Sequence, residues 1–316
     1  MARFQIVPPN TKIPFISWRK VFFTVSLALT LAAVATYFVR DLNYGIDFQG
    51  GIMMEVRSEG PADIQALRDR LGSLGLGEVK LQEFGEATDV LIRIQRQEGG
   101  EAEQQTAIEI VRQALGDGMT YRRIEFVGPK VGAELKQAGM LAMLLSMAGI
   151  LIYIWFRFEW QFGVAAVVAL SHDIITTIGL FALLQLEFNL STVAAILTIA
   201  GYSINDTVVV FDRIRENLRK YKKMPLADVL NRSINQTLSR TVLTSVTTLL
   251  ALGALFTLGG PVIRDFSFAM IWGVLIGTYS SICVASPVLL YMKLHRAVFN
   301  IDAGDKPDRV ETTIDG

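Results

Sequence analysis

Asp206 is a carboxylate in an apolar setting. It stands beside Asn205 in GYSINDTVVVFDRIREN, residues 201–217, a stretch that begins inside a run long enough to cross a bilayer and leaves it through Asp212, Arg213 and Arg215. An Asp near the middle of a spanning helix costs about 2.5–3.5 kcal/mol on insertion scales, so it marks a functional site whose partner has to be found. Arg240 offers the opposite charge at the opening of the next apolar segment, NQTLSRTVLTSVTT. There Thr237, Arg240, Thr244 and Thr247 or Thr248 recur at helical spacing as one polar stripe. Proton transfer is the chemistry such a pair can do: burial favours the neutral acid and a nearby guanidinium favours the anion, so moving the Arg switches Asp206 between holding and releasing a proton. The same residues also fit a structural buried ion pair, a weak source of stability. Thr244, Thr247 and Thr248 either pass hydroxyl or water steps along that face or satisfy backbone carbonyls.

A second polar pair, His172–Asp173, lies midway along another apolar run in ALSHDIITTIG, residues 169–179. It reads either as a bond between neighbouring helices or as part of the same relay. The cations Arg213, Arg215, Arg219, Lys220, Lys222 and Lys223 suit the end of a helix at an anionic membrane face. Cys283 is the single cysteine, which excludes an internal disulfide, and the two histidines, His172 and His295, lie far apart in sequence, which argues against a metal site. The sequence carries no GxxxxGK[ST], GxSxG or HExxH, which counts against an ATPase, a serine hydrolase and a zinc protease and points away from an enzyme.

These residues need helices in a membrane to position them. With 30 basic and 30 acidic residues and 51% hydrophobic residues over 316 positions, the averages look nearly soluble, and the balanced charge gives no reason to expect nucleic acid as a partner. Distribution decides the class: charge is dense in some segments and almost absent from six apolar blocks, at 21–39, 138–156, 162–184, 190–211, 241–258 and 266–292. The first block follows a basic segment, 1–20, and Thr36-Tyr37-Phe38 is a poor cleavage context, so it is expected to remain as an uncleaved span. Residues 138–292 hold the other five spans. Residues 40–137 alternate in periods of two and of three to four: strand 52–57, helix 62–74, strands 79–84 and 90–95, helix 101–115 and strand 121–127. That βαββαβ order is the ferredoxin-like split motif.

If the spans alternate, Arg157, the 213–223 cluster and the cations after 292 fall on one side, which the positive-inside rule makes cytoplasmic. Both termini are then cytoplasmic, the 40–137 domain lies outside, and the Asp-, Gly- and Pro-rich tail within 293–316 is expected to end disordered. Gly45, Gly50 and Gly51 between the first span and the domain either let the domain swing as a hinge or simply form turns. Small residues such as Gly149, Gly163, Gly179, Gly201, Gly253, Gly273 and Gly277 fit close helix approach.

GIDFQGG at 45–51, ALSHD at 169–173, GYSINDTVVVFDRIREN at 201–217 and SINQTLSRTVLTSVTTLLAL at 233–252 together resemble the SecF family of bacterial protein-export membrane subunits, part of the RND-type transporter superfamily. The resemblance runs from about residue 18 to 296. It implies a multi-pass protein of the bacterial inner membrane that works with SecD, often YajC, and the SecYEG translocon. It implies protons as the coupling ion with no other cofactor, and preprotein drawn out on the periplasmic side. It also implies that Asp206, Arg240 and Thr244 match the family's functional residues, and that the chain is half of a twelve-span unit. Two other classes stay open on the residues alone: a passive subunit stabilising a translocon assembly, and half of an RND-type efflux transporter, which the small external domain disfavours.

Overall fold

A computed structural model describes residues 11–292 together with Pro8 and Leu294. Most of the N-terminal segment, His295 and the tail expected to be disordered lie outside the described residues. Helix α1, Arg19–Arg40, leads through strand β1, Asn43–Tyr44, and the single turn α2, Ile46–Gln49, into the external domain. That domain runs β2 (Gly51–Ser58), α3 (Ile64–Gly72), β3 (Val79–Phe84), β4 (Glu86–Ile94), α4 (Glu101–Leu115) and β5 (Met119–Val127). Its strands pair antiparallel in the order β3-β4-β2-β5, the arrangement of a ferredoxin-like sheet.

Alternation explains the layer. Ile52, Met54 and Val56 of β2 stand opposite Ile94, Ile92 and Val90 of β4, all buried on the face that α3 and α4 cover with Leu67, Leu71, Ile108 and Val111. Asp63 caps α3 by accepting from the Ala66 N–H at 3.0 Å, and Glu103 folds back to accept from the Gly100 N–H at 2.7 Å at the start of α4.

The opposite face of the sheet carries charge. Asp89, with a side chain only 2% exposed, accepts from Arg57 at 2.5 and 2.7 Å and from Arg122 at 3.2 Å. The Arg57 hydrogen bond holds the Asp89 carboxyl below the usual aspartate range. Its stabilising contribution is therefore complete above the ordinary aspartate pKa of about 3.9 and is lost as pH falls through the depressed value. Asp89→Asn is expected to weaken the domain by about 2 kcal/mol at neutral pH, seen as faster hydrogen exchange at β2 and β4 amides, with the difference from wild type closing in strong acid. Equal exchange at neutral pH would show that Asp89 contributes nothing.

After β5 the chain turns directly into helix. The apolar run expected from 138 is the later part of a longer helix, α5, Pro129–Arg157, which starts two residues after β5 ends at Val127. Lys130, Glu134 and Lys136 make its first turns too polar to read as a span, yet they continue the same helix. Then come α6 (Trp160–Leu184), strand β6 (Glu187–Phe188), α7 (Leu190–Lys220), α8 (Leu226–Leu258) and α9 (Pro261–Ser280), which runs through a π-helical turn, Ser281–Ala285, into α10, Ser286–Tyr291. Among the described residues six helices are long and apolar enough to cross a membrane, the sixth being Ile263–Tyr291. Pro287 explains the widened turn: it has no N–H to give Cys283, and its ring would press on that carbonyl four residues back. The Ser286 hydroxyl, 3.0 Å from the Ser281 carbonyl oxygen, donates across the widened turn.

The α6, α7 and α9 helices form the packed centre, whereas only 6% of α1's apolar window and 17% of that in α8 is buried within the chain. Glycine permits the closest crossings: a Cβ on Gly179 would lie 2.2 Å from the Ala33 Cβ of α1, and one on Gly273 would meet Ile199. Gly149, Gly201 and Gly253 make no such approach among the described residues.

Candidate functional site

Asp206 sits where three elements converge. It is 9% exposed on α7; its Oδ1 accepts from the Thr241 hydroxyl of α8 at 2.7 Å, and its Oδ2 accepts from the Ser281 hydroxyl at the π turn at 2.6 Å. Sequence spacing pairs Asp206 with Arg240, but among the described residues the two form no ion pair. The Arg240 side chain is exposed. The reason is helix phase. Because α8 begins at Leu226, Arg240 lies well inside it rather than opening it. Thr237, Thr241 and Ser245 point into the bundle, while Arg240, Thr244 and Thr247, about 100° round, point out of it.

The threonines bond to their own helix. Thr244 donates to the Arg240 carbonyl at 2.9 Å, Thr247 to the Leu243 and Thr244 carbonyls at 3.0 and 2.9 Å, and Thr248 to the Thr244 carbonyl at 2.8 Å. Asn205 is exposed on α7 beside the buried Asp206. The residues missed by sequence reasoning, Thr241 and Ser281, carried one usable signal: Thr237, Thr241 and Ser245 repeat every four residues and place hydroxyls in phase with the apolar face.

The His172–Asp173 pair forms a second centre on α6. Asp173 is fully buried; its Oδ1 is 3.0 Å from His172 Nδ1, and its Oδ2 accepts from Ser203 of α7 and from Ser280 of α9, each at 2.6 Å. Thr176 and Thr177 donate to the His172 and Asp173 carbonyls at 2.8 and 2.7 Å.

At the entrance to the external domain, the glycines read as a hinge stand in packed positions. Gly50 and Gly51 have φ of 73° and 124°, and a Cβ on Gly51 would lie 2.6 Å from the Ile94 carbonyl oxygen; one on Gly45 would lie 2.5 Å from a Glu187 carboxylate oxygen. Parallel pairing of β1 with β6 and the Arg93–Glu187 ion pair tie the domain to the loop after α6. Burial raises the Glu187 carboxyl above the usual glutamate range, and Arg93 pulls against that rise.

Six spans enclosing two hydroxyl-bound aspartates, with a small ferredoxin-like domain between the first and second, have the build of a polytopic transport subunit. Comparison with known proteins agrees. Residues 107–295 match the C-terminal model of the SecD/SecF protein export membrane proteins, and residues 38–62 match the SecD/SecF GG motif. Among relatives, the protein translocase subunit SecF of Rhodobacter capsulatus is 48% identical over 96% of each chain. That of Rickettsia bellii is 47% identical over 90% of this chain and 95% of its own, and that of Vibrio alginolyticus 46% over 93% and 94%. The crystal structure of SecDF, a translocon-associated membrane protein, from Thermus thermophilus superposes with a TM-score of 0.82 at 39% identity. It covers 90% of this chain, and this chain spans 39% of that longer one. The chain belongs to the SecF branch of the SecD/SecF family and is a multi-pass protein translocase subunit.

Proposed function

We propose that this chain, paired with a SecD protein beside the SecYEG channel and with YajC, uses the proton gradient to promote preprotein export across the bacterial inner membrane. Both termini face the cytoplasm and the ferredoxin-like domain faces the periplasm. Asp206 gains and loses the coupling proton; Arg240 and Thr244, with Asn205 and Thr248 flanking them, complete the relay. One observation carries the reading: among the described residues Asp206 is held at the bundle's interior by two hydroxyls, while Arg240 and Thr244 of α8 face out of it. A guanidinium directed outward from a membrane helix needs an acidic or otherwise polar partner surface, which a second six-span subunit would supply. Swinging of the external domain about Gly45, Gly50 and Gly51 would first have to release the Arg93–Glu187 pair and the β1–β6 ladder.

The passive reading also has an observation in its favour, since both oxygens of Asp206 are hydrogen-bonded within the chain, as structural glue requires. Co-purification separates dependence on a partner from self-sufficiency: tagged chain extracted from membranes should bring down SecD, and Arg240→Glu should reduce the yield at least several-fold. Full recovery with that variant would remove Arg240 from the interface. For orientation, protease added outside spheroplasts should cut within residues 40–127 and spare 213–239; the reverse pattern would invert the topology.

A further inference from the structure

Two consecutive serines each bind a different buried carboxylate: Ser280 donates to Asp173 and Ser281 to Asp206, both at 2.6 Å. We propose that His172 and Asp173 form a second proton-binding site within the membrane, and that Ser280–Ser281 couples its occupancy to that of Asp206. This rests on the reading of Asp206 as the coupling carboxylate and extends it to a pair on another helix.

The site is built from three helices. The His172 side chain is 5% exposed and that of Asp173 0%, and His172 Nε2 is buried with no hydrogen-bond partner among the described residues, so the imidazole has an unused position for a proton or a water. The titratable neighbours are Tyr279, whose ring lies 6.1 Å from the imidazole, Cys283 beside Tyr279, and Asp206 by way of Ser281. From α1, Ser26 bonds the Tyr279 hydroxyl at 2.9 Å. Among the described residues no Lys or Arg forms an ion pair with either aspartate.

Counting hydroxyl protons shows that both charge states can be accommodated. Each serine has one proton and two acceptors: for Ser280 they are Asp173 Oδ2 and the Gly277 carbonyl at 3.1 Å, and for Ser281 they are Asp206 Oδ2 and the Thr278 carbonyl at 3.0 Å. When the aspartate is ionised, the serine donates to it. When the aspartate is protonated, its own O–H donates to the serine oxygen, and the serine turns its proton to the helix carbonyl. Neither state leaves a buried polar atom unpaired by that switch. Because the serines share one peptide at the start of the π turn, a shift of that turn alters both carboxylates together. Two buried anions also repel in low dielectric, so ionising one favours the proton on the other, and the proton alternates between them.

The test uses the full chain reconstituted with its SecD partner in proteoliposomes, following protonated-carboxyl bands by infrared difference spectroscopy across pH, beside gradient-driven export. Wild type is expected to show two titrating bands. Asp206→Asn should remove one and lower the midpoint of the other by about one pH unit, while Asp173→Asn should remove the second and reduce gradient-driven export at least tenfold. If Asp206→Asn removes no band, the underlying reading fails. If that band goes but Asp173→Asn removes none, or leaves export unchanged, only the present proposal fails. Should Asp173→Asn not assemble, Ser280→Ala removes one hydrogen bond to the carboxylate and is expected to raise the Asp173 midpoint; an unmoved midpoint overturns the proposal.

Discussion

Asp206→Asn is expected to abolish gradient-driven export while leaving ATP-driven export and assembly with the partner intact. Asn keeps the size of Asp and its capacity to hydrogen-bond, but it cannot titrate. Its geometry is tolerable here, because an amide N–H facing Ser281 can be accepted once that hydroxyl turns to the Thr278 carbonyl. The expected loss of stability is therefore small, about 0.5–1.5 kcal/mol, the scale of one hydrogen bond, whereas the loss of coupling is complete. Inverted membrane vesicles assayed for preprotein movement with and without an uncoupler would measure it. Full stimulation by the gradient in the Asn variant would return Asp206, Thr241 and Ser281 to a structural role. Arg240→Lys tests the neighbouring position: it retains charge and loses the planar fork, so impaired coupling with normal assembly is expected.

The second large effect concerns stability. Gly179→Ala is expected to destabilise the bundle by about 1–3 kcal/mol, because the new Cβ would fall 2.2 Å from the Ala33 Cβ and 2.4 Å from its Cα, and backbone cannot turn aside as a side chain can. With so little of α1 buried in the chain, its seat on α6 depends on such close approach. Gly273→Ala should also be costly, since its Cβ would fall 2.2, 2.5 and 2.8 Å from Cγ1, Cδ1 and Cγ2 of the buried Ile199, a β-branched side chain with essentially one χ1 rotamer in a helix. Ala33→Gly should restore part of the loss in Gly179→Ala. Thermal unfolding of the purified protein in detergent would rank the variants, and a Gly179→Ala protein as stable as wild type would show that α1 is not seated there.

Much of the architecture was legible in order along the chain. The ferredoxin-like domain reads directly because strand alternation at Val90, Ile92 and Ile94 and the helical spacing of Ile64, Leu67 and Leu71 are local patterns with different periods. The apolar run starts at 138 although its helix begins at Pro129, because the first turns of α5 are polar: hydropathy detects what can lie in lipid, whereas helix continues wherever backbone hydrogen bonds do.

Asp206 could be singled out from sequence because an acid inside an apolar run is anomalous whatever surrounds it. Its partners could not. The sequence by itself determined the six spans, the inserted domain and the two intramembrane aspartates, all properties of short windows and of the solvent they imply. Only the tertiary structure decided that Thr241 and Ser281, 35 and 75 positions away, meet Asp206, and that Arg240 faces the other way. One residue along a helix is a turn of about 100°, so which of two neighbours, Arg240 or Thr241, points inward is fixed by how α7, α8 and α9 pack rather than by the residues' own chemistry.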